Sequence, residues 1–167
     1  MDILNLIKSP MNYTGGKYKL LRQILPLFPT AISGLFVDVF CGGLDVSINV
    51  NGARKVLAND INKKVIDIYN AMKVLTIDEL LGYIDGKIAE YGLTITNQEG
   101  YNLFREQYNR AEEKNPLDLF ILICYSFNHQ VRFNGNGEFN MPFGKDRSYF
   151  NDTLRKNLIS LDRKSVV

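Results

Sequence analysis

Two short stretches of this chain hold the residues best suited to chemistry. Phe36-Val-Asp-Val-Phe-Cys-Gly-Gly43 is an apolar run that ends in paired glycines, and Leu57-Ala-Asn-Asp60 is a shorter run that ends in an acid. Residues 35–40 read as a buried parallel strand whose Gly-Gly turn opens a helix, and residues 55–59 as a second strand that delivers Asp60 at its carboxyl end. In open parallel α/β sheets, ligands lie in the crevice outside the carboxyl ends of the strands. Glycine there lets the backbone come close to a ligand, and a carboxylate after the second strand can hold two ribose hydroxyls. The layout is that of a nucleoside-cofactor site.

Gly42-Gly43 alone also fits a plain strand-to-helix turn that needs glycine only for its backbone angles. Asp60 at the end of the next strand favours the ligand reading. The full G-x-G-x-x-G spacing is missing, because Asp45 and Val46 occupy the next positions. A pyrophosphate wants a run of free N–H groups at a helix N-terminus. The shorter turn suits a nucleoside without phosphates, such as S-adenosylmethionine. A dinucleotide-dependent oxidoreductase shares the same plan and is the alternative, although it would need the third glycine. Cys41 lies in the turn, but no histidine is near it in sequence, so a small residue packed on the sheet is the simpler reading.

The elements that position these residues follow from periodicity and caps. Leu20, Leu21, Ile24 and Leu25 mark a first helix ended by Pro26. Beyond Asp60 the period changes to that of helices: Val65, Ile66, Ile68, Tyr69 and Met72, then Leu80, Leu81, Ile84, Ile88 and Tyr91. Thr76-x-x-Glu79 is a capping box before the latter, and Thr96-x-x-Glu99 reads as another before Tyr101, Phe104 and Tyr108. Asn115-Pro116 opens a further helix carrying Leu119, Phe120, Ile123 and Cys124. Four consecutive helices after one strand–turn–strand unit predict a helical insertion into a sheet domain, beginning near Asn62. Residues 130–141, with Asn134-Gly-Asn-Gly137 at the tip, read as a β-hairpin. Asn128, His129 and Gln130 crowd its base and Arg132 and Lys145 flank it, which are side chains that read base edges and grip phosphates. A bare surface hairpin is the plainer alternative.

Composition sets wide bounds. The chain has 167 residues, 46% of them hydrophobic, with a mean hydropathy of −0.12, enough apolar material for a core. No apolar run approaches the eighteen or so residues of a membrane span, and no signal peptide is evident, so a cytoplasmic protein is the expectation. Two cysteines and one histidine cannot build a structural zinc site, and no metal is expected. A net charge of +2 decides little by itself. Basic residues do cluster in residues 1–22 (Lys8, Lys17, Lys19, Arg22) and in 132–156 (Arg132, Lys145, Arg147, Arg155, Lys156), which leaves nucleic-acid binding open.

Taken together, four stretches resemble the Dam-type DNA adenine-N6 methyltransferases, most closely their phage members. They are Asn12-Tyr-Thr-Gly-Gly-Lys17, residues 36–43, Ala58-Asn-Asp-Ile61, and the block from Arg132-Phe-Asn to Phe139-Asn-Met-Pro-Phe-Gly-Lys145. The resemblance implies an incomplete Rossmann-like class I methyltransferase domain of α/β class with an inserted helical DNA-recognition domain and a β-hairpin. Residues 1–61 would form the first part of the cofactor domain, 62–150 the recognition insertion, and 151–161 a return toward the cofactor domain. It further implies S-adenosylmethionine as cofactor, double-stranded DNA as partner, GATC as the usual target, and the cytoplasm of a bacterial or phage-infected cell as location.

By resemblance, Tyr13 and Lys17 would contact the cofactor, Lys17 through the methionine carboxylate, while Phe40 would line the pocket and Asp60 bind the ribose hydroxyls. A merely solvated lysine is a weak reading for Lys17, since a cation at a helix N-terminus opposes the helix dipole unless an anion sits there. Phe127, Asn128, Gln130 and Arg132 would meet the DNA, with Phe127 placed to wedge beside a flipped base or else to join the core. Pro142, Lys145 and Arg147 match further DNA contacts, although Asp146 stands where some relatives carry arginine.

The family's catalytic motif, Asp-Pro-Pro-Tyr or a near variant, does not occur, for the sequence holds no Pro-Pro dipeptide. In the family it follows the hairpin block by some tens of residues, so the chain reads as an N-terminal fragment. A widely used short-read sequencing adapter translates in one frame to Asp-Arg-Lys-Ser-Val-Val, which is residues 162–167. The natural sequence is therefore expected to end by Leu161; the same six codons in the intact source genome would sink that idea. A half-built parallel sheet leaves an open edge and uncovered apolar faces, so the fragment is expected to be poorly stable and catalytically silent. A natural DNA-binding decoy without activity is the alternative from another functional class.

Overall fold

The computed structural model describes residues 6–30 and 32–162. Two parallel strands, β1 (Leu35–Asp38) and β2 (Lys55–Ala58), pair in the register Leu35↔Lys55, Phe36↔Val56, Val37↔Leu57 and Asp38↔Ala58. Alternate side chains point to opposite faces of a sheet, and in both strands one face is exposed: Leu35 and Val37 of β1, Lys55 and Leu57 of β2. The strand predicted as buried is thus covered on one face only.

The turn after β1 departs from the expected start of a regular helix. Leu44 takes a left-handed φ of 65°, so the residues beyond it form hydrogen-bonded turns (Ile48 N–H to Leu44 O, Val50 N–H to Val46 O) without a helix. The first predicted helix is also broken up. It comprises a 3₁₀ turn (Tyr18–Leu20), one turn of α-helix α1 (Leu21–Ile24) and a second 3₁₀ turn (Leu25–Leu27) that contains Pro26.

From Asn62 the chain is helical: α2 (Lys63–Lys73), α3 (Ile77–Glu90), α4 (Gln98–Arg110) and α5 (Pro116–Tyr125), with α6 (Asp152–Asp162) following after an irregular stretch. Helix α5 is the axis. Leu117 and all of residues 119–125 are buried, and a helix apolar on every side belongs inside a protein. Around it pack Val65, Ile68 and Met72 of α2, Leu80 and Ile84 of α3, and Tyr101, Phe104 and Tyr108 of α4. The core therefore lies in the helical part and reaches the sheet region through Met11, Cys41, Leu44 and Ile48.

Thr76 caps α3 reciprocally with Glu79, and Asn115 caps α5 by accepting from Leu117 N–H, both as the sequence predicts. The second predicted box does not form. Asn97, not Thr96, caps α4 by accepting from Gly100 N–H at 3.0 Å, because the Thr94 hydroxyl turns the chain one residue later through the Asn97 N–H. The predicted hairpin shrinks to a single bridge between Phe133 and Phe139. Asn134 N–H donates to Glu138 O and Asn140 N–H to Arg132 O, and within the tip Asn134 Oδ1 accepts from the N–H groups of Asn136 and Glu138, so the side chain closes the loop where the short ladder ends. Of the six suspected adapter-derived residues, Asp162 ends α6 and residues 163–167 lie outside the described residues.

Candidate functional site

A cavity of about 370 Å³ opens at the carboxyl ends of β1 and β2. Its floor is built by backbone hydrogen bonds that continue the strand pair: Asn59 N–H donates to Asp38 O and Cys41 N–H to Asn59 O. Asp60 stands at the centre, its Oδ2 accepting from Gly42 N–H and its Oδ1 from Asn62 N–H, each at 2.9 Å. A carboxylate offers about four lone-pair sites, so two remain for further donors.

All four cofactor candidates named by sequence line this one cavity: Tyr13, Lys17, Phe40 and Asp60. Tyr13 lies on the glycine turn, where Gly42 has a φ of 47° and a Cβ would come within 3.0 Å of the tyrosine ring. Phe40 is 87% exposed. Lys17 precedes a short 3₁₀ turn rather than a true helix, and its ammonium donates to Gly15 O. Residues that sequence reasoning passed over stand beside them. Ile61, next to Asp60, is 99% exposed. Asp45 is buried and accepts from Tyr18 N–H at 3.1 Å and Ser9 N–H at 3.4 Å, which ties both ends of residues 9–18 to the turn after β1. With Asp38, Asp45 and Asp60 against Lys17, the lining carries more negative than positive charge.

Cys41 is no nucleophile in this setting. Burial, then the Asp38 and Asp60 carboxylates, push its thiol up to about 12, so it stays protonated at neutral pH.

A second, larger cleft of about 700 Å³ shares Tyr13, Thr14, Gly15, Gly16 and Asp45 with the first. Its opposite side is the sharp turn after α5, where Asn128 and His129 both have a φ of 54°. Asn128, Gln130 and Arg147 line it together with Lys8, Lys19 and Asn12, and Asn12 Nδ2 donates to Asn128 O across the cleft at 3.2 Å. Phe127 is 41% exposed, outside the core, with the Arg147 guanidinium 5.7 Å from its ring centre. Four DNA candidates stand apart from this lining, Phe127 being the first. Arg132 folds back on Asn140, donating Nε to Oδ1 and Nη2 to the carbonyl, each at 2.9 Å. Pro142 is exposed and its carbonyl accepts from Phe127 N–H, while Lys145 is exposed elsewhere on the surface.

His129, half-buried in this cleft, is held below its usual value, first by burial and then by the Lys8 cation. The unfolded chain therefore protonates before the folded one as pH falls below about 6.5. Stability specific to His129 is complete above that pH and is lost below it. Comparing melting temperatures at pH 7.5 and 5.5, the wild type should lose more than His129→Gln does; equal losses would refute this.

Among the described residues, no group of His, Cys, Asp and Glu could hold a metal ion, and no helix is long and apolar enough to cross a membrane.

The sequence profile of the D12 class N6 adenine-specific DNA methyltransferases matches residues 13–165, nearly the whole chain. The chain belongs to that family. Relatives of the D12-class chain include the type II methyltransferase M.FokI of Planomicrobium okeanokoites, 53% identical over 92% of this chain and 23% of that enzyme. The modification methylase StsI of Streptococcus sanguinis is 47% identical over 95% of this chain and 24% of that enzyme. The DNA adenine methylase of Escherichia coli K12 is 33% identical over 84% and 49% respectively. The chain thus spans about a quarter of the first two enzymes and about half of the third. Both the 370 Å³ cavity and the 700 Å³ cleft are built from residues within the D12-class match, apart from the N-terminal Lys8, Met11 and Asn12.

Proposed function

We propose that this chain is the cofactor-binding and DNA-contacting part of a site-specific DNA methyltransferase that moves a methyl group from S-adenosylmethionine to N6 of an adenine flipped out of double-stranded DNA. The observation that carries the reading is Asp60: it lines the cavity, already orders the glycine turn through Gly42, and has acceptor capacity left after its two hydrogen bonds. Ribose hydroxyls are donors that fit there. The volume falls in the range of small-ligand sites, Phe40 offers apolar surface for a purine, and the acidic lining favours a sulfonium cation over a pyrophosphate. Residues 1–61 form the cofactor part on this reading, and residues 62–150 the inserted recognition domain.

S-adenosylmethionine supplies an electrophilic methyl carbon; as N6 bonds to it the carbon–sulfur bond breaks, and N6 gives up a proton. This chain's own residues bind and orient. Lys17 is placed for the methionine carboxylate once it leaves Gly15 O. Arg147 and Lys19 meet phosphates along the 700 Å³ cleft, Asn128 and Gln130 meet base edges, and Phe127 fills the gap left by the extruded base. Arg132, Pro142 and Lys145 meet the DNA outside the 700 Å³ cleft. The acceptors that draw the N6 hydrogens belong to an Asp-Pro-Pro-Tyr motif that this sequence does not contain, so the chain binds without completing transfer. GATC is the target carried by resemblance to Dam, but M.FokI and StsI are the more similar enzymes, so a panel of sites is needed.

Calorimetric titration with S-adenosylmethionine and NAD, then radiolabelled methyl transfer to DNA of varied sequence, tests the reading. Binding of the sulfonium cofactor without NAD, and no transfer by the 167-residue chain, is the expected result. NAD binding overturns the cofactor assignment, and methyl transfer overturns the division between binding and chemistry.

A further inference from the structure

The ring of Tyr69, on the second turn of α2, reaches under the glycine turn of the cavity. Its hydroxyl donates to Gly43 O at 2.9 Å and lies 2.9 Å from the Ser9 hydroxyl, which also accepts from Met11 N–H at 3.0 Å. Burial raises Tyr69 far above the usual tyrosine range, so the hydroxyl stays protonated and remains a donor. The packing around this link has no slack. A Cβ on Gly43 would stand 3.2 Å from Met11 O, 3.2 Å from Tyr13 Cβ and 3.3 Å from Ser9 Oγ. Residues 9–13 therefore rest directly on the turn, and a shift of one moves the other. The ring that moves with them is Tyr13, which lines both the cavity and the cleft.

Helix α2 holds the same turn at a second point, because the Asp60 carboxylate joins Gly42 N–H to Asn62 N–H just ahead of the helix. We propose that Tyr69 is a positioning residue for the cofactor site: from the helical part it fixes the Gly42-Gly43 turn against residues 9–13, and with them the place of Tyr13. The proposal rests on the cavity's being the S-adenosylmethionine site.

Tyr101 supplies a matched control. It is fully buried, and its hydroxyl likewise donates to a backbone carbonyl, Met141 O, at 2.9 Å, but it lies on α4 and lines neither the cavity nor the cleft. Tyr69→Phe and Tyr101→Phe each lose one buried hydroxyl and are expected to melt lower by similar margins. Calorimetric titration of the 167-residue chain with S-adenosylmethionine should then separate them. Tyr69→Phe weakens binding about tenfold, roughly the effect of one lost hydrogen bond, whereas Tyr101→Phe stays within about twofold. Ser9→Ala, which cuts the same link from the loop side, should move affinity in the same direction and serves if Tyr69→Phe does not fold. Equal weakening by Tyr69→Phe and Tyr101→Phe, or none by Tyr69→Phe and Ser9→Ala, overturns the assignment. A wild-type chain that binds no S-adenosylmethionine overturns the cofactor reading first, before any variant is compared.

Discussion

Asp60→Ala is expected to weaken S-adenosylmethionine binding by about a hundredfold, the effect of losing two charge-assisted hydrogen bonds in part replaced by water. The carboxylate has two duties, and the substitution ends both. Toward the protein it accepts from Gly42 and Asn62 N–H, so its loss frees the glycine turn and the start of α2. Toward the cavity it removes the acceptors proposed for the ribose. The groups left unpaired are only partly buried and water can reach them, so the cost in folding stability is about 1–2 kcal/mol, well below the loss in binding. Asp60→Asn separates the duties. One oxygen is kept, but the amide nitrogen must face Gly42 N–H, Asn62 N–H or the ligand, and each is a donor. Its affinity should fall between wild type and Asp60→Ala. Calorimetry alongside thermal melting reads both quantities, and an Asp60→Ala chain that binds within about threefold of wild type would sink the assignment.

Features governed by neighbours in sequence were legible in the chain, and features governed by distant neighbours were not. The Thr76–Glu79 box spans one helical turn and forms as read. The two strands are short apolar runs with turn residues after them, and their parallel pairing follows. Thr96 does not cap α4 because a competing local bond, Asn97 N–H to the Thr94 hydroxyl, moves the cap by one residue. The hairpin is shorter than its alternation predicts for a similar reason. Alternating residues suggested a ladder, but Asn134 closes the loop tip with its own side chain and Arg132 clamps Asn140 across it. That Tyr13, Lys17, Phe40 and Asp60 share one region was legible, because all four lie within the first sixty residues. Tyr69 was not, since its partners Gly43 and Ser9 are 26 and 60 residues away in the chain. Its helical spacing marks it as core, and nothing in that spacing tells a buried hydroxyl with a task from a buried ring.

The same limit hides Gly144, which gives the largest expected loss of stability. In sequence it is one glycine of Phe143-Gly-Lys145, a plain turn residue. In the fold it is buried, and its N–H donates to Tyr125 O, beside the bridge between Ser126 and Phe143 and the bond from Phe127 N–H to Pro142 O. These contacts fasten the end of α5 to the segment that carries Arg147, and so hold Phe127 and Arg147 together. A Cβ at Gly144 would overlap the Ser148 side chain and stand 2.7 Å from Ser126 O. Neither neighbour can retreat easily, since both serines are buried and Ser148 N–H is itself bonded to Gly144 O. Gly144→Ala is therefore expected to lower stability by about 3 kcal/mol, the range of overpacking in a closed core. Adding Ser148→Gly removes the side-chain overlap but leaves the carbonyl in place, so the double variant should recover only part of the loss. DNA affinity should follow stability in both proteins, because one side of the cleft is assembled from the two segments that Gly144 joins. Urea unfolding of the wild type and the two variants reads the first quantity, and salt-dependent DNA binding the second. A Gly144→Ala chain as stable as wild type would show that the segment yields at this point and that the cleft does not depend on the close approach of residues 126 and 144.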